Sequence, residues 1–309
     1  MNWDETPICF NYTDGRTYHF KGDKTITAKT AQSGDDKRQA TLILYIFADG
    51  RGYLKPKIIF HGTPTEEGGL IFNREGHLYH EGVTTEFNEH AYNTGDLTEK
   101  WINTEFIQGC QPSKFNPFLM VMDCAGFHKT DAVLDRLEEL GVDVAMVPPG
   151  ATGYLQPLDT HINKTFKALM VNLIDDYIDK WEVLYEQPEE SWDLSKKRIM
   201  TTYVVGGAWR QLCTEPHHIN IVRKSFIDLG INLPVDGRLD HLIRIKDFRG
   251  MEIGDYNLRD PEIEGYQNRI LTTADDADEF EIAEEGAISR NYEIMTKKDA
   301  PKAVRMAWY

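Results

Sequence analysis

Short apolar, β-rich runs alternate with polar turn segments through the first 60 residues and later give way to a three-to-four-residue apolar spacing, and this change orders the chain. WDETPICF, a Thr13-Asp14-Gly15 turn and RTYHFKG read as short strands. After the polar stretch Ser33-Gly34-Asp35-Asp36-Lys37-Arg38 comes the run TLILYIFAD, closed by Gly50, and KPKIIFHG follows one more turn. Apolar runs this close together, separated by turn residues, predict consecutive antiparallel strands. From Thr98 onward Trp101, Ile102, Phe106 and Ile107 share a helical spacing, and the apolar run 117–122 that ends in Asp123 predicts a strand.

Residues 130–140 put Val133, Leu134, Leu137 and Leu140 on one helical face, with Thr130 at the start and Gly141 as a stop signal. VDVAMVPPG is a further buried strand. A long helical pattern then runs from Pro157 through Ile162, Phe166, Leu169, Met170, Leu173, Ile174, Tyr177, Ile178 and Trp181, with more helices expected at 195–213 and 217–229. The order is strands, then helix–strand–helix–strand–helix, then helix alone. This predicts an α/β fold with a mixed sheet of about five strands, the first three antiparallel, flanked by helices and closed by a helical C-terminal layer.

Composition narrows the class. The chain has 309 residues, 41% apolar and 27% charged, a soluble globular mixture that suits one catalytic core with an extension. No window approaches the roughly 20 consecutive apolar residues of a membrane span, so no membrane partner is expected. MNWDETPICF carries neither a basic nor an apolar leader region. Cys9, Cys110, Cys124 and Cys213 stand far apart and read as reduced thiols of a cytosolic or nuclear protein. His77, His80 and His90 lack a fourth ligand and read as solvated loop histidines. The net charge is −16, from 34 basic and 50 acidic groups. Residues 273–285, TADDADEFEIAEE, carry only Phe280 and Ile282 as large apolar groups, so an acidic mobile tail is expected over 251–309. No polybasic arm is visible, and strong autonomous nucleic-acid binding is not what this composition favours.

Three aspartates sit where chemistry would want them: Asp4 within the first strand, Asp123 at a strand end, and Asp159 at the start of the long helix. Ligands of an α/β sheet gather at the carboxyl ends of strands and at helix N-termini. Carboxylate oxygens suit Mg²⁺ or Mn²⁺ rather than zinc, and two such ions would serve an in-line phosphodiester displacement. Spacing alone leaves turn and N-cap aspartates as the alternative reading.

The words around these residues go further. Asn2-Trp3-Asp4-Glu5-Thr6-Pro7, ADG at 48–50 followed by KPKIIFHG, Leu119 to Asp123 with Gly126 and His128, Gly153-Tyr154-Leu155-Gln156-Pro157-Leu158-Asp159, Ile162-Asn163-Lys164 and Phe166-Lys167 together resemble the DDE superfamily endonucleases. More narrowly they resemble the pogo branch of the mariner-like transposases, relatives of centromere protein B and the jerky-like proteins. Ala208-Trp209, Ser225-Phe226 and Gly230-Ile231 are similar to that family's closing helical segment. The resemblance spans about residues 1–235 and implies an RNase H-like catalytic core over 1–190, a helical segment at 191–250 packing on it, and the acidic tail beyond. Asp4, Asp123 and Asp159 would be the first, second and third catalytic acids and the metal ligands, with two Mg²⁺ or Mn²⁺ ions as cofactor. Asp159 is the only acid between Asp143 and Asp175. Glu5 is the one ambiguous neighbour, and period-2 alternation allows only one of Asp4 and Glu5 to face the site.

His128 has two readings, a group that orients a phosphate or metal-bound water, and a capping or packing histidine. Lys164 and Lys167, about one turn apart, would meet DNA phosphates or form a solvated helix face. Gln156 would hold its loop, and Trp101, Trp181, Trp192 and Trp209 would be core. The implied partner is DNA, held weakly and without sequence preference by this chain, in the nucleus, with a homodimer left open. Family members usually carry a helix-turn-helix reader ahead of the catalytic domain, so a fragment or domesticated remnant is expected rather than an autonomous transposase. Two functions follow: a metal-dependent DNA endonuclease, or a catalytically silent remnant acting as a nucleic-acid-associated or protein-interaction module.

Overall fold

The computed structural model describes residues 1–8, 40–64, 69–234 and 236–247. The strand expected at RTYHFKG, Cys9 and the acidic tail lie outside the described residues. In chain order the elements are β1 (Asn2–Ile8), β2 (Ala40–Ile46), β3 (Lys57–His61), α1 (Leu70–Glu75), β4 (Thr84–Asn88), α2 (Gly95–Trp101), α3 (Ile107–Cys110), β5 (Phe118–Asp123), α4 (Asp131–Glu139), β6 (Val142–Val147), α5 (Thr152–Leu155), α6 (Asn163–Tyr185), α7 (Leu194–Thr214) and α8 (Pro216–Asp228).

Among the described residues, six strands form one sheet in the order β4-β3-β2-β1-β5-β6. β1, β2 and β3 pair antiparallel, as the sequence predicts, while β4 joins β3, β5 joins β1 and β6 joins β5 in parallel. The β3-β2-β1-β5-β6 portion, with β2 antiparallel to its neighbours and the chain reversing direction of growth at β1, is an RNase H-like mixed sheet. The sixth strand, β4, is an addition to the expected five. Its TTEFN buries only Phe87 fully, so it lacks the apolar signal of an interior strand.

Alternation assigns the two faces. Leu42, Leu44, Ile46, Ile58 and Phe60 pack beneath Phe166, Met170, Ile174 and the α7 residues Val204, Val205 and Ala208. Ile43, Tyr45, Ile59, Met120 and Met122 face the opposite way, against Trp101, Ile102, Phe106, Val133 and Leu137. β2 reads as uninterrupted apolar sequence because both of its faces are covered. Trp101, Trp192 and Trp209 are buried core, as expected.

Local chemistry fixes the helices. Thr94 caps α2 by accepting from the Leu97 N–H, and Asp193 caps α7 by accepting from the Lys196 N–H, each worth about 1 kcal/mol. Pro216 opens α8, where its missing N–H costs nothing. Gly50 turns β2 toward β3 at φ 74°, and a Cβ there would stand 2.7 Å from Ile219 Cγ2 of α8. That turn therefore needs glycine for its dihedral and for space. His77 and His90 are exposed, but His80 is not the solvated loop group expected. It is half-buried, accepts from the Gly82 N–H at Nδ1, and lies so close to Gly206 that a Cβ there would come within 2.2 Å of the ring.

Candidate active site

β1 and β5 run parallel with Asn2 opposite Val121. Two residues further along each strand stand Asp4 and Asp123, and a step of two keeps the face, so the two acids reach the same edge of the sheet on neighbouring strands. β1 is where the strand order reverses, and the crevice beyond the carboxyl ends of strands at such a point is the usual ligand site of an open α/β sheet. Pro7 belongs to the same geometry: β1 pairs with β5 at Asn2, not at Pro7, so the missing Pro7 N–H leaves no ladder gap on that side.

The third acid arrives from the other side. After β6 the chain passes through α5 to Pro157, and residues 158–162 form one wide turn in which the Asn163 N–H donates to the Leu158 carbonyl. Asp159 stands in that turn and is exposed, and Asn163 follows four residues later. The Asn163 Nδ2 donates to Asp4 Oδ2 at 3.3 Å and to Asp159 Oδ1 at 3.0 Å. Two bonds to one nitrogen hold those carboxylate oxygens no more than 6.3 Å apart. The three aspartates thus converge from β1, β5 and the head of the long helix.

Asp4 is buried, and burial pushes its carboxyl well above the ordinary carboxylate range. The charge of Asp159 adds to that push, a backbone hydrogen bond at Glu5 opposes it, Asp123 adds again, and the Asn163 amide opposes it. Asp123 behaves in the opposite way. Burial would raise it, but a hydrogen bond and the charge of His128, the Ala125 N–H and Lys129 outweigh burial and hold it below the ordinary range. Neighbouring carboxylates are thus driven apart in acidity by their surroundings, a pattern typical of functional sites.

Glu5 is turned away, accepting from Asn93 Nδ2 at 2.8 Å on the opposite face. His128 is only 1% exposed, with Nδ1 2.7 Å from Asp123 Oδ1 and its ring edge-on to Trp3. That orientation leaves it no surface to offer a DNA phosphate, and of its two expected roles the inward one fits. Lys164 and Lys167 are both exposed on α6 beyond Asp159. Gln156 is fully buried, and it organises its loop through the backbone, where its carbonyl accepts from the Thr160 N–H and hydroxyl. Asn163 and Asn2 are the site residues that pattern reasoning does not single out. Among the described residues, no group of three or more His, Cys, Asp or Glu side chains is drawn together as a finished metal centre. Here Asn163 tethers two of the acids and His128 the third.

Residues 37–180 match the family model for the DDE superfamily endonuclease, a segment that contains Asp123 and Asp159 and begins after Asp4. The chain is 29% identical over 163 residues to "Pogo transposable element with KRAB domain" of Mus musculus and 29% identical over 165 residues to the Homo sapiens protein of that name, in each case covering 53% of this chain and 25% of the relative. It is 26% identical over 152 residues to "Pogo transposable element with ZNF domain" of Homo sapiens, covering 45% of this chain and 10% of the relative. The chain therefore spans about a quarter of the length of the first two relatives. Among solved structures it is similar to a chain of "Mos1 transposase paired-end complex with left transposon end", at 15% identity and a TM-score of 0.34, over 68% of this chain and 53% of that one. No helix among the described residues is long and apolar enough to cross a membrane. Residues 37–180 thus carry the match to the DDE superfamily endonuclease model, and over about half of its length the chain is similar to pogo transposable element proteins.

Proposed function

We propose that Asp4, Asp123 and Asp159 are the catalytic carboxylates of a DNA phosphodiester cleavage or strand-transfer reaction and would hold two divalent cations, Mg²⁺ or Mn²⁺. The observation that carries this reading is the single Asn163 amide shared by Asp4 and Asp159, beside Asp123 on the adjoining strand. The donor set fits hard cations: it is all carboxylate oxygen, with no thiolate. Bound there, the ions would supply activation of the attacking oxygen and charge stabilisation on the leaving oxygen.

The remaining steps belong to this chain's own residues. Asn163 can rotate to present its carbonyl oxygen in place of Nδ2, turning a clamp between two carboxylates into one more oxygen donor. His128 keeps Asp123 ionised and fixes the rotation of its carboxylate. Lys167, two turns along α6 from Asp159, and Lys164 would meet the phosphate backbone, with Lys129 near Asp123 completing a sparse basic rim. Such a rim supports weak DNA binding without base readout, in a nuclear setting.

A second reading, the silent remnant, is favoured by the net charge of −16. Incubation of the chain with supercoiled plasmid and Mn²⁺ separates the two. Nicking that disappears in Asp159→Ala supports the nuclease, the absence of nicking supports the remnant, and nicking that survives that substitution marks a contaminating nuclease.

A further inference from the structure

Asn2 is completely buried at the start of β1 and uses its whole side-chain amide. Its Nδ2 donates to the Val121 carbonyl of β5 at 2.9 Å and to the Trp3 carbonyl at 3.3 Å, and its Oδ1 accepts from the Leu158 N–H at 2.9 Å. Each long-range partner has a fixed relation to an acid. Asn2 precedes Asp4 by two residues, Val121 precedes Asp123 by two, and Leu158 precedes Asp159 by one.

We infer that Asn2 is the positioning residue of the acid triad, one amide that sets the three carboxylate-bearing segments relative to one another. The inference rests on the reading of Asp4, Asp123 and Asp159 as the functional acids. Its physical basis lies in what the backbone leaves undone. β1 is paired with β2 along seven positions but with β5 at one, so the sheet alone gives the Asp4–Asp123 spacing little reinforcement. The Leu158 N–H, at the head of a helical segment, has no carbonyl one turn back within that segment to bond. The Asn2 side chain supplies both missing links from the interior, where a hydrogen bond is not shared with water. An aspartate could accept from Leu158 but would face two carbonyl oxygens without a proton to offer, and a leucine would leave the Leu158 N–H and the Val121 carbonyl without this partner.

The test uses the full 309-residue chain, unsubstituted and as Asn2→Ala, with Asn2→Ser as the smaller perturbation should the alanine variant not fold. Amide exchange reads the geometry directly. In the unsubstituted chain Leu158 and Val121 should exchange at rates within about threefold of each other, as members of one cooperative unit. In the variant Leu158 should exchange on the order of tenfold faster while Ile43 and Ile58, in β2 and β3, keep their rates. Mn²⁺ affinity from a fluorescence or thermal titration should fall about 10- to 100-fold, and kcat for nicking with it, while half-saturating DNA stays the same.

A merely structural asparagine would slow exchange nowhere in particular: its loss would raise the rates of Ile43 and Ile58 together with Leu158 and leave Mn²⁺ affinity intact, and that result overturns the inference. Unchanged exchange at Leu158 overturns it as well. An unsubstituted chain that binds no Mn²⁺ sinks the metal-nuclease reading instead, and the exchange of Leu158 still decides whether Asn2 locks the three segments.

Discussion

Nδ1 of His128 lies 2.7 Å from Oδ1 of Asp123, and Nε2 of the same ring stands 4.0 Å from Glu5 Oε1. The ring thus spans from the acid at the end of β5 to the acid that β1 turns to its opposite face. An ionised Asp123 accepts a hydrogen bond from the Nδ1–H, so the carboxylate fixes the tautomer and the histidine fixes the carboxylate.

Replacing His128 by alanine should therefore lower kcat for nicking by about 10- to 100-fold by freeing Asp123. DNA affinity should stay within twofold, because a ring 1% exposed has no surface to give to a duplex. Nicking kinetics and gel shifts on the same preparation check both halves. A loss confined to DNA binding would restore the surface role.

Millimolar Mn²⁺ should raise the melting temperature, since a ligand at 100 times its Kd stabilises by about 2.7 kcal/mol. Asp123→Asn should abolish that shift. An identical melt with and without Mn²⁺, or a shift that persists in the variant, would mean that the three carboxylates do not act together on a cation.

Glu75, at the end of α1, is held by Arg198 of α7 through Nε at 2.5 Å and Nη2 at 3.1 Å, with Tyr79 and Ser195 donating to the same carboxylate. Burial opposes the charge, but these donors prevail and keep the Glu75 carboxyl below its ordinary range. A folded-state value below the unfolded one means stability that is present above the unfolded value and lost as pH falls through the folded value. Urea melts at pH 7 and at progressively lower pH should show the unsubstituted chain losing more stability than Glu75→Gln does. At pH 7 Glu75→Gln should itself cost about 3–5 kcal/mol, because it strands a buried guanidinium.

Salt should govern DNA binding. With about two to four phosphates neutralised, a fourfold rise in salt should weaken binding by roughly 10- to 150-fold. Lys167→Ala should flatten the slope of log K against log salt by about 0.9. Gel shifts on two unrelated duplexes at two salt concentrations measure this, and tight, sequence-selective binding that ignores salt would show that a base-reading element has been overlooked.

Sequence pattern captured the parts of this fold that carry strong apolar signals. TLILYIFAD reads as a strand, and Phe166, Met170, Ile174 and Tyr177 read as positions of one long helix. β4 was illegible because one buried Phe87 among half-exposed polar residues carries no period. The three aspartates were legible because each sits among residues with a family resemblance and Asp159 has no acidic rival nearby. The asparagines were not, because a neutral amide gives no composition or charge signal and its worth depends on what the fold brings to it. His128 was legible as a site residue but not in direction, since only the packing of Trp3 decides which way the ring turns. The wide turn at 158–162, and a like one at Ile102–Phe106 between α2 and α3, also escaped the pattern, because a single extra residue within a turn leaves the apolar spacing nearly unchanged.

The bond from Asn2 to Leu158 joins residues 156 positions apart, and that to Val121 joins residues 119 apart. Contacts of such sequence separation form late, after the loops they close have lost their freedom. A chain emerging from the ribosome holds its first acid long before it can bring the other two beside it. Partly synthesised or partly unfolded molecules consequently lack the acid cluster altogether, so the topology withholds that cluster until folding is complete.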